Sequence, residues 1–213
     1  MMTYSLVTIV HDDGKCNFDA IENRIKAVNQ SAVVSGSFFE LLVIDNSKNK
    51  VTRINRLVEE LGGMYHWCDG YNTFHGPSMN IAAELVSQEA VIYFCANHGK
   101  IFDPSWVQDI LLPLEDTSCG MAGCITSCLF DRVSGDPGDR NRRQEHVQGA
   151  IAAIRRDTLL EVPYSHRFPF EYSDVIMSLD LVRNGYYLGN VPSIKSVGEG
   201  VVREKGKYVH DYS

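Results

Sequence analysis

The sequence predicts an α/β fold: one domain with a central, mainly parallel mixed sheet flanked by helices. Three observations carry this. Short apolar runs alternate with segments of helical spacing in the order βαβαβαβ, which implies parallel strands joined by right-handed crossovers. Two of the runs, residues 39–44 (FELLVI) and 91–95 (VIYFC), are largely or wholly apolar, as strands covered on both faces are. Each run stops abruptly at a polar cluster, and in open α/β sheets ligands bind outside the carboxyl ends of the strands.

Taken in order, residues 5–10 (SLVTIV) form a β-rich run that ends at His11-Asp12-Asp13-Gly14. Phe18, Ile21, Ile25 and Val28 recur at helical spacing, so a helix is expected over 17–30. The strand at 39–44 stops at Asp45-Asn46-Ser47. A second helix is expected over 51–61, closed by Gly62-Gly63, since glycine commonly follows a last helical turn. Residues 64–67 read as a short third strand and 68–77 (CDGYNTFHGP) as loop. Ser78 can cap a helix over 79–87. The strand at 91–95 breaks at Ala96-Asn97-His98-Gly99, and Asp103-Pro104 suits the start of a short helix over 106–112. A strand rich in small residues is expected over 121–129. Residues 130–145 are polar, carry Arg140, Arg142 and Arg143, and show no periodicity, which reads as loop. Then come a short strand over 147–154, a helix from Arg155 through Leu160, and a helix over 175–184 stopped by Gly185. A last strand over 186–191 and a charged, aromatic tail complete the chain.

A length of 213 residues suits one domain with a sizeable core. A formal net charge of −7 and a pI near 5.5 argue against broad electrostatic binding of nucleic acid. The apolar runs fall far short of a membrane span, and no charged-then-apolar leader opens the sequence. The six cysteines form no C-x-x-C pair and read as reduced thiols, so a cytoplasmic protein is expected.

The order of pieces resembles the nucleotide-sugar glycosyltransferases of GT-A (Rossmann-like) fold, family 2 in particular, over nearly the whole chain. The resemblance rests on SLVTIVHDD, LLVIDNSKN, GPSMNIAAEL, VIYFCANHGKIFDPSW, GAIAAIRRD and FPFEYSDVIMSLDLVRNGYYLGNVP in that order. It extends to the first domain of a large virus-encoded glycosyltransferase, which would place the protein in host cytoplasm with further domains in a longer chain. It implies a single catalytic domain over 1–213, with a nucleotide-sugar-binding half over 1–112 and an acceptor-binding half over 113–213. It implies transfer of a sugar from a UDP-sugar to a hydroxyl of a glycan or glycoprotein acceptor, with inversion and a divalent metal, Mn²⁺ ahead of Mg²⁺. Two departures stand out. Asn97-His98-Gly99 occupies the place of the metal-binding D-x-D, and Ser173-Asp174 that of Glu-Asp.

On that frame, Asp174 is the expected base for the acceptor hydroxyl, with Glu171 its nearest rival. The other reading of Asp174 is a helix cap. Asp45 suits the uridine, because a carboxylate accepts from N–H and O–H donors; its alternative is a turn residue bonding its own backbone. The backbone around Val10 and His11 would line the uracil, and Asn80 and Asn97 complete the expected nucleotide contacts. His98, the Asn97 carbonyl oxygen and His210 are the expected metal ligands, an imidazole-rich set acceptable to Mn²⁺. Arg155 and Arg156 either face phosphate or are solvated. Two other readings compete: a nucleotidyltransferase of related shape, for which HDDGK is a poor phosphate loop, and a degenerate nucleotide- or carbohydrate-binding module.

Overall fold

The computed structural model describes residues 2–35, 39–96, 105–129, 143–168, 173–193, 201–204 and 207–210. Seven strands form one sheet: β1 (Tyr4–Val10), β2 (Phe39–Asp45), β3 (Met64–Trp67), β4 (Ala90–Phe94), β5 (Cys119–Leu129), β6 (Arg143–Arg155) and β7 (Tyr187–Asn190). Their order is β3-β2-β1-β4-β6-β5-β7. All neighbours pair in parallel except those of β6, which runs antiparallel to both β4 and β5. The expected mixed, mainly parallel sheet is therefore present. A two-stranded antiparallel pair, β8 (Val201–Glu204) and β9 (Lys207–His210), occupies the tail, where no element was expected.

Six helices cover the sheet: α1 (Phe18–Val34), α2 (Thr52–Glu60), α3 (His75–Leu85), α4 (Trp106–Leu111), α5 (Arg156–Glu161) and α6 (Ser173–Arg183). The core divides by face. Ile21, Ile25, Ile54, Val58, Trp106 and Ile110 pack with Leu6, Val43 and Ile92 on one side. Met79, Ala83, Leu159, Met177 and Leu181 pack with Val7, Leu42 and Val91 on the other. Neighbouring residues of β1, β2 and β4 thus feed opposite cores, which is why their sequences show no alternation.

Of the boundaries that differ from expectation, two bear on the site. α3 starts at His75 rather than after Ser78, because Gly76 and Pro77 fall in its first turn, where proline sacrifices no intrahelical bond. β6 starts at Arg143, four residues earlier than the apolar run suggests, because its first residues pair with the end of β5 (Arg143 opposite Leu129). Polar side chains suit such a ribbon as well as a loop, so composition alone does not separate the two.

Candidate active site

β1 pairs in parallel with both β2 and β4, which brings their carboxyl ends side by side. The loops beyond β1 and β2 are joined by hydrogen bonds. Asn46 N–H donates to the Val10 carbonyl at 2.9 Å. His11 Nδ1 donates to the Asn46 carbonyl at 2.9 Å. The Asp12 amide donates to Ser47 Oγ at 2.8 Å, and Trp67 Nε1 to the Ser47 carbonyl at 3.0 Å. With its Nδ1 proton committed, His11 Nε2 is left to accept from Asn72 Nδ2 at 3.5 Å. The Thr8 hydroxyl ties β1 to the end of β4 by donating to the Phe94 carbonyl at 2.7 Å.

Asp45, expected at the uridine, faces inward instead. It is fully buried. Its Oδ1 accepts from the Ser47 amide at 2.8 Å, and its Oδ2 from the Val51 amide at 2.9 Å and from the Tyr65 hydroxyl. Burial, then the bond to Asp45, raises the Tyr65 phenol well above its ordinary value. This is the turn role, extended by a cross-strand tyrosine. Asn80 is likewise occupied: its Nδ2 donates to the Tyr164 carbonyl at 3.0 Å and its Oδ1 accepts from the Tyr164 amide at 2.8 Å. That two-way clasp holds the amide that was expected at the nucleotide against Tyr164.

Antiparallel β6 decides where the second half's residues fall. Ile151 pairs with Phe94 and Arg155 with Ala90, so numbers along β6 fall toward the carboxyl end of β4. Arg155 and Arg156 consequently lie at the opposite end of the sheet. They bond the Leu114 and Ala83 carbonyls at 3.1 and 2.8 Å, away from the carboxyl ends of β1, β2 and β4. Cys95 N–H donates to the Ala150 carbonyl at 2.8 Å, and Gly149 lies just beyond, at the site end of the sheet.

Asp174 meets Gly149 there. In the first turn of α6, its Oδ2 accepts from the Gly149 amide at 3.0 Å and its Oδ1 from the Val175 amide at 2.9 Å. His146 Nε2 lies 4.0 Å from Oδ2. A Cβ at position 149 would stand 3.1 Å from Asp174 Oδ2, so glycine permits this close approach. The Asp174 side chain keeps 26% of its surface exposed, enough to be reached from solvent.

His75 was not anticipated from the sequence, where it read as loop. It opens α3, and its Nδ1 lies 2.9 Å from the hydroxyl of Ser173, the first residue of α6. Its ring stands edge-on to Tyr93 (4.6 Å between centroids) and Tyr164 (5.3 Å). Desolvation lowers its pKa to about 4, against an opposing pull from Asp174. The unfolded chain therefore protonates His75 near pH 6.5 while the folded chain does not. Stability should fall as pH drops from about 6.5 toward 4, by on the order of 2–3 kcal/mol from this residue. Denaturant midpoints at pH 7, 5.5 and 4.5 check this. His75→Asn should flatten the decline, and an unchanged slope would refute the assignment.

Of the expected metal ligands, Asn97 and His98 lie outside the described residues, as does Glu171, and His210 is described only as the last residue of β9. Among the described residues, Asp12, Asp13 and Cys16 bring ligand atoms within 4.8 Å of one another. Asp12 and Asp13 already accept from the Gly14 and Lys15 amides, and burial raises the Cys16 thiol. Among the described residues no helix is long and apolar enough to cross a membrane.

No family model matches the chain, and no curated protein matches it in sequence. Solved structures do match in shape. A mannosyltransferase from Pyrobaculum calidifontis in complex with GDP-Man and Mn²⁺ superimposes with a TM-score of 0.68 at 14% identity, over 96% of this chain and 58% of that one. GalNAc-T7 with UDP, GalNAc and Mn²⁺ gives 0.67 at 14% identity, over 91% of this chain and 43% of that one. A CMP:2-keto-3-deoxy-manno-octonic acid synthetase in complex with CTP gives 0.58 at 15% identity, over 88% of both chains. The chain thus spans little more than half of the mannosyltransferase and less than half of GalNAc-T7. At such identities the likeness establishes the fold, which is the GT-A arrangement of nucleotide-sugar transferases.

Proposed function

We propose that the chain is a glycosyltransferase that moves a sugar from a UDP-sugar to an acceptor hydroxyl, with inversion. The observation that carries this is the position of Asp174. It is a solvent-reachable carboxylate, fixed by two backbone amides at the end of the sheet where the carboxyl ends of β1, β2 and β4 lie side by side. A base held in one orientation beside a nucleotide-binding edge is what transfer to a hydroxyl requires. The backbone of Val10 and His11 would line the base of the nucleotide. Asp45 and Asn80 would support that edge from behind.

Bound Mn²⁺ would neutralise charge on the departing diphosphate. His98 and the Asn97 carbonyl oxygen would hold it, with His210 as a third ligand. An imidazole and an amide oxygen suit Mn²⁺, although they bring no negative charge. The same donor set would suit Mg²⁺ less well, since it prefers oxygen ligands. The acceptor would be a glycan or glycoprotein, approached from the side of α6. The viral origin, host-cytoplasmic location and further domains belong to this proposal and rest on the resemblance alone.

The test is titration with UDP, with MnCl₂ or with chelator, alongside a panel of UDP-sugars assayed for sugar release. UDP binding strengthened by Mn²⁺, with release from at least one UDP-sugar, is the expected result. His98→Ala should abolish the Mn²⁺ enhancement, and lower pH should compete because only neutral imidazole binds metal. Equal UDP affinity in chelator would refute the metal site. Binding without turnover would favour the degenerate module. The match to the synthetase keeps a nucleotidyltransferase in view, and release of pyrophosphate from CTP or UTP with a sugar acid would favour that reading.

A further inference from the structure

His75 joins the two halves of the candidate site through one short segment. Asn72 bonds His11, and the Thr73 hydroxyl donates to Asn46 Oδ1 at 2.9 Å. The Phe74 carbonyl accepts from Asn46 Nδ2 at 3.4 Å and from the Ser78 hydroxyl. Phe74 itself holds φ 59, ψ −174, a conformation that is strained for a non-glycine residue and persists only when its surroundings impose it. Residues 72–74 thus grip the loops after β1 and β2. The next residue, His75, reaches the other way and bonds Ser173.

We propose that His75 is a positioning residue for Asp174: its bond to the Ser173 hydroxyl fixes the first turn of α6 and so aims the neighbouring carboxylate at the donor edge. This rests on the transferase reading. Three observations support it. Ser173 and Asp174 are adjacent in the first turn of α6, where a shift of one residue moves the other. The His75 Nδ1 lies 2.9 Å from the Ser173 hydroxyl, close enough for a hydrogen bond across the two elements, and desolvation favours the neutral ring there. Its Nε2 is shielded and has no hydrogen-bond partner among the described residues, so the ring's polar contact with them runs through Nδ1. A ring present only to fill space between Tyr93 and Tyr164 would do so without this buried polar atom, as phenylalanine would.

Two substitutions separate the hydrogen bond from the packing. His75→Asn keeps a polar atom near the place of Nδ1 and loses the ring. His75→Phe keeps the ring and loses the polar atom. Ser173→Ala removes the partner and serves if His75→Phe fails to fold. Two readouts apply: amide exchange at Gly149, whose N–H is bonded by Asp174, and sugar release from UDP-glucose or whichever UDP-sugar the panel selects. His75→Phe and Ser173→Ala should each speed Gly149 exchange roughly tenfold, the equivalent of one lost hydrogen bond. Each should lower kcat about tenfold or more at unchanged UDP affinity, with the double variant no worse than either alone. His75→Asn should retain most of both. Wild-type Gly149 protection in folded His75→Phe and Ser173→Ala, or a loss confined to His75→Asn, would overturn the proposal. Accelerated exchange in a protein whose wild type neither binds UDP nor releases sugar would retain the positioning and discard the transferase reading.

Discussion

Asp174→Asn should lower sugar transfer by about 10²–10⁴-fold, the usual worth of a general base, while leaving UDP-sugar affinity nearly unchanged. The structure sharpens this expectation. A carboxylate offers about four lone-pair sites, and the Gly149 and Val175 amides take two of them. Each oxygen keeps one for an incoming hydroxyl. Asparagine retains the shape and one carbonyl oxygen, but its NH₂ must face one of those two amide donors. Some loosening of α6 is therefore expected, and the variant's melting should be measured before its rate is interpreted. A helix-tethering aspartate with no chemical role would behave differently: stability would fall and transfer by the folded fraction would survive. Near-wild-type transfer by folded Asp174→Asn would rule Asp174 out and make Glu171 the next candidate.

The sheet was legible because burial on both faces leaves a signature no other element shares: apolar runs such as those at 39–44 and 91–95, cut off by polar clusters. The helix after Asp174 was legible from its apolar spacing, whereas the choice of Asp174 over Glu171 came from the resemblance alone. The roles of Asp45 and Asn80 were not legible. An aspartate at a strand end has the same sequence context whether it faces a ligand or its own turn. What decides is Tyr65, twenty residues on, whose hydroxyl arrives through the parallel β2–β3 pairing. Asn80 is decided by Tyr164, eighty-four residues away. Arg155 and Arg156, left open in sequence between phosphate and solvent, are decided for a related reason: only the antiparallel sense of β6 shows that they lie at the far end of the sheet. His75 was hidden by Gly76 and Pro77, which signal a loop in sequence yet are tolerated in a first helical turn. Long-range partners decide each of these cases, and single-sequence patterns carry none of them.

Asp45→Ala should destabilise the protein by several kcal/mol, in place of the loss of nucleotide affinity with an intact fold that a carboxylate on the uridine would show. Removing the carboxylate strands three donors: the Ser47 amide, the Val51 amide and the Tyr65 hydroxyl. A buried donor left unsatisfied costs about 1–3 kcal/mol. The Val51 amide has a second acceptor in the Tyr65 oxygen at 3.2 Å, which spares part of its penalty. The remaining loss is still a large fraction of the 5–15 kcal/mol that typical domains possess. Asp45→Asn should cost less, because one carbonyl oxygen can still serve the turn. Tyr65→Phe should cost least, since it removes the hydroxyl and leaves both amides their acceptors on Asp45. Urea denaturation at pH 7 orders the three variants, with Ala worst and Phe mildest. The loop also holds Asn46 and Ser47 against β1, so any folded Asp45→Ala protein should lose UDP affinity only in step with its loss of structure. A variant with a wild-type denaturation midpoint and UDP affinity weakened 10-fold or more would return Asp45 to the nucleotide.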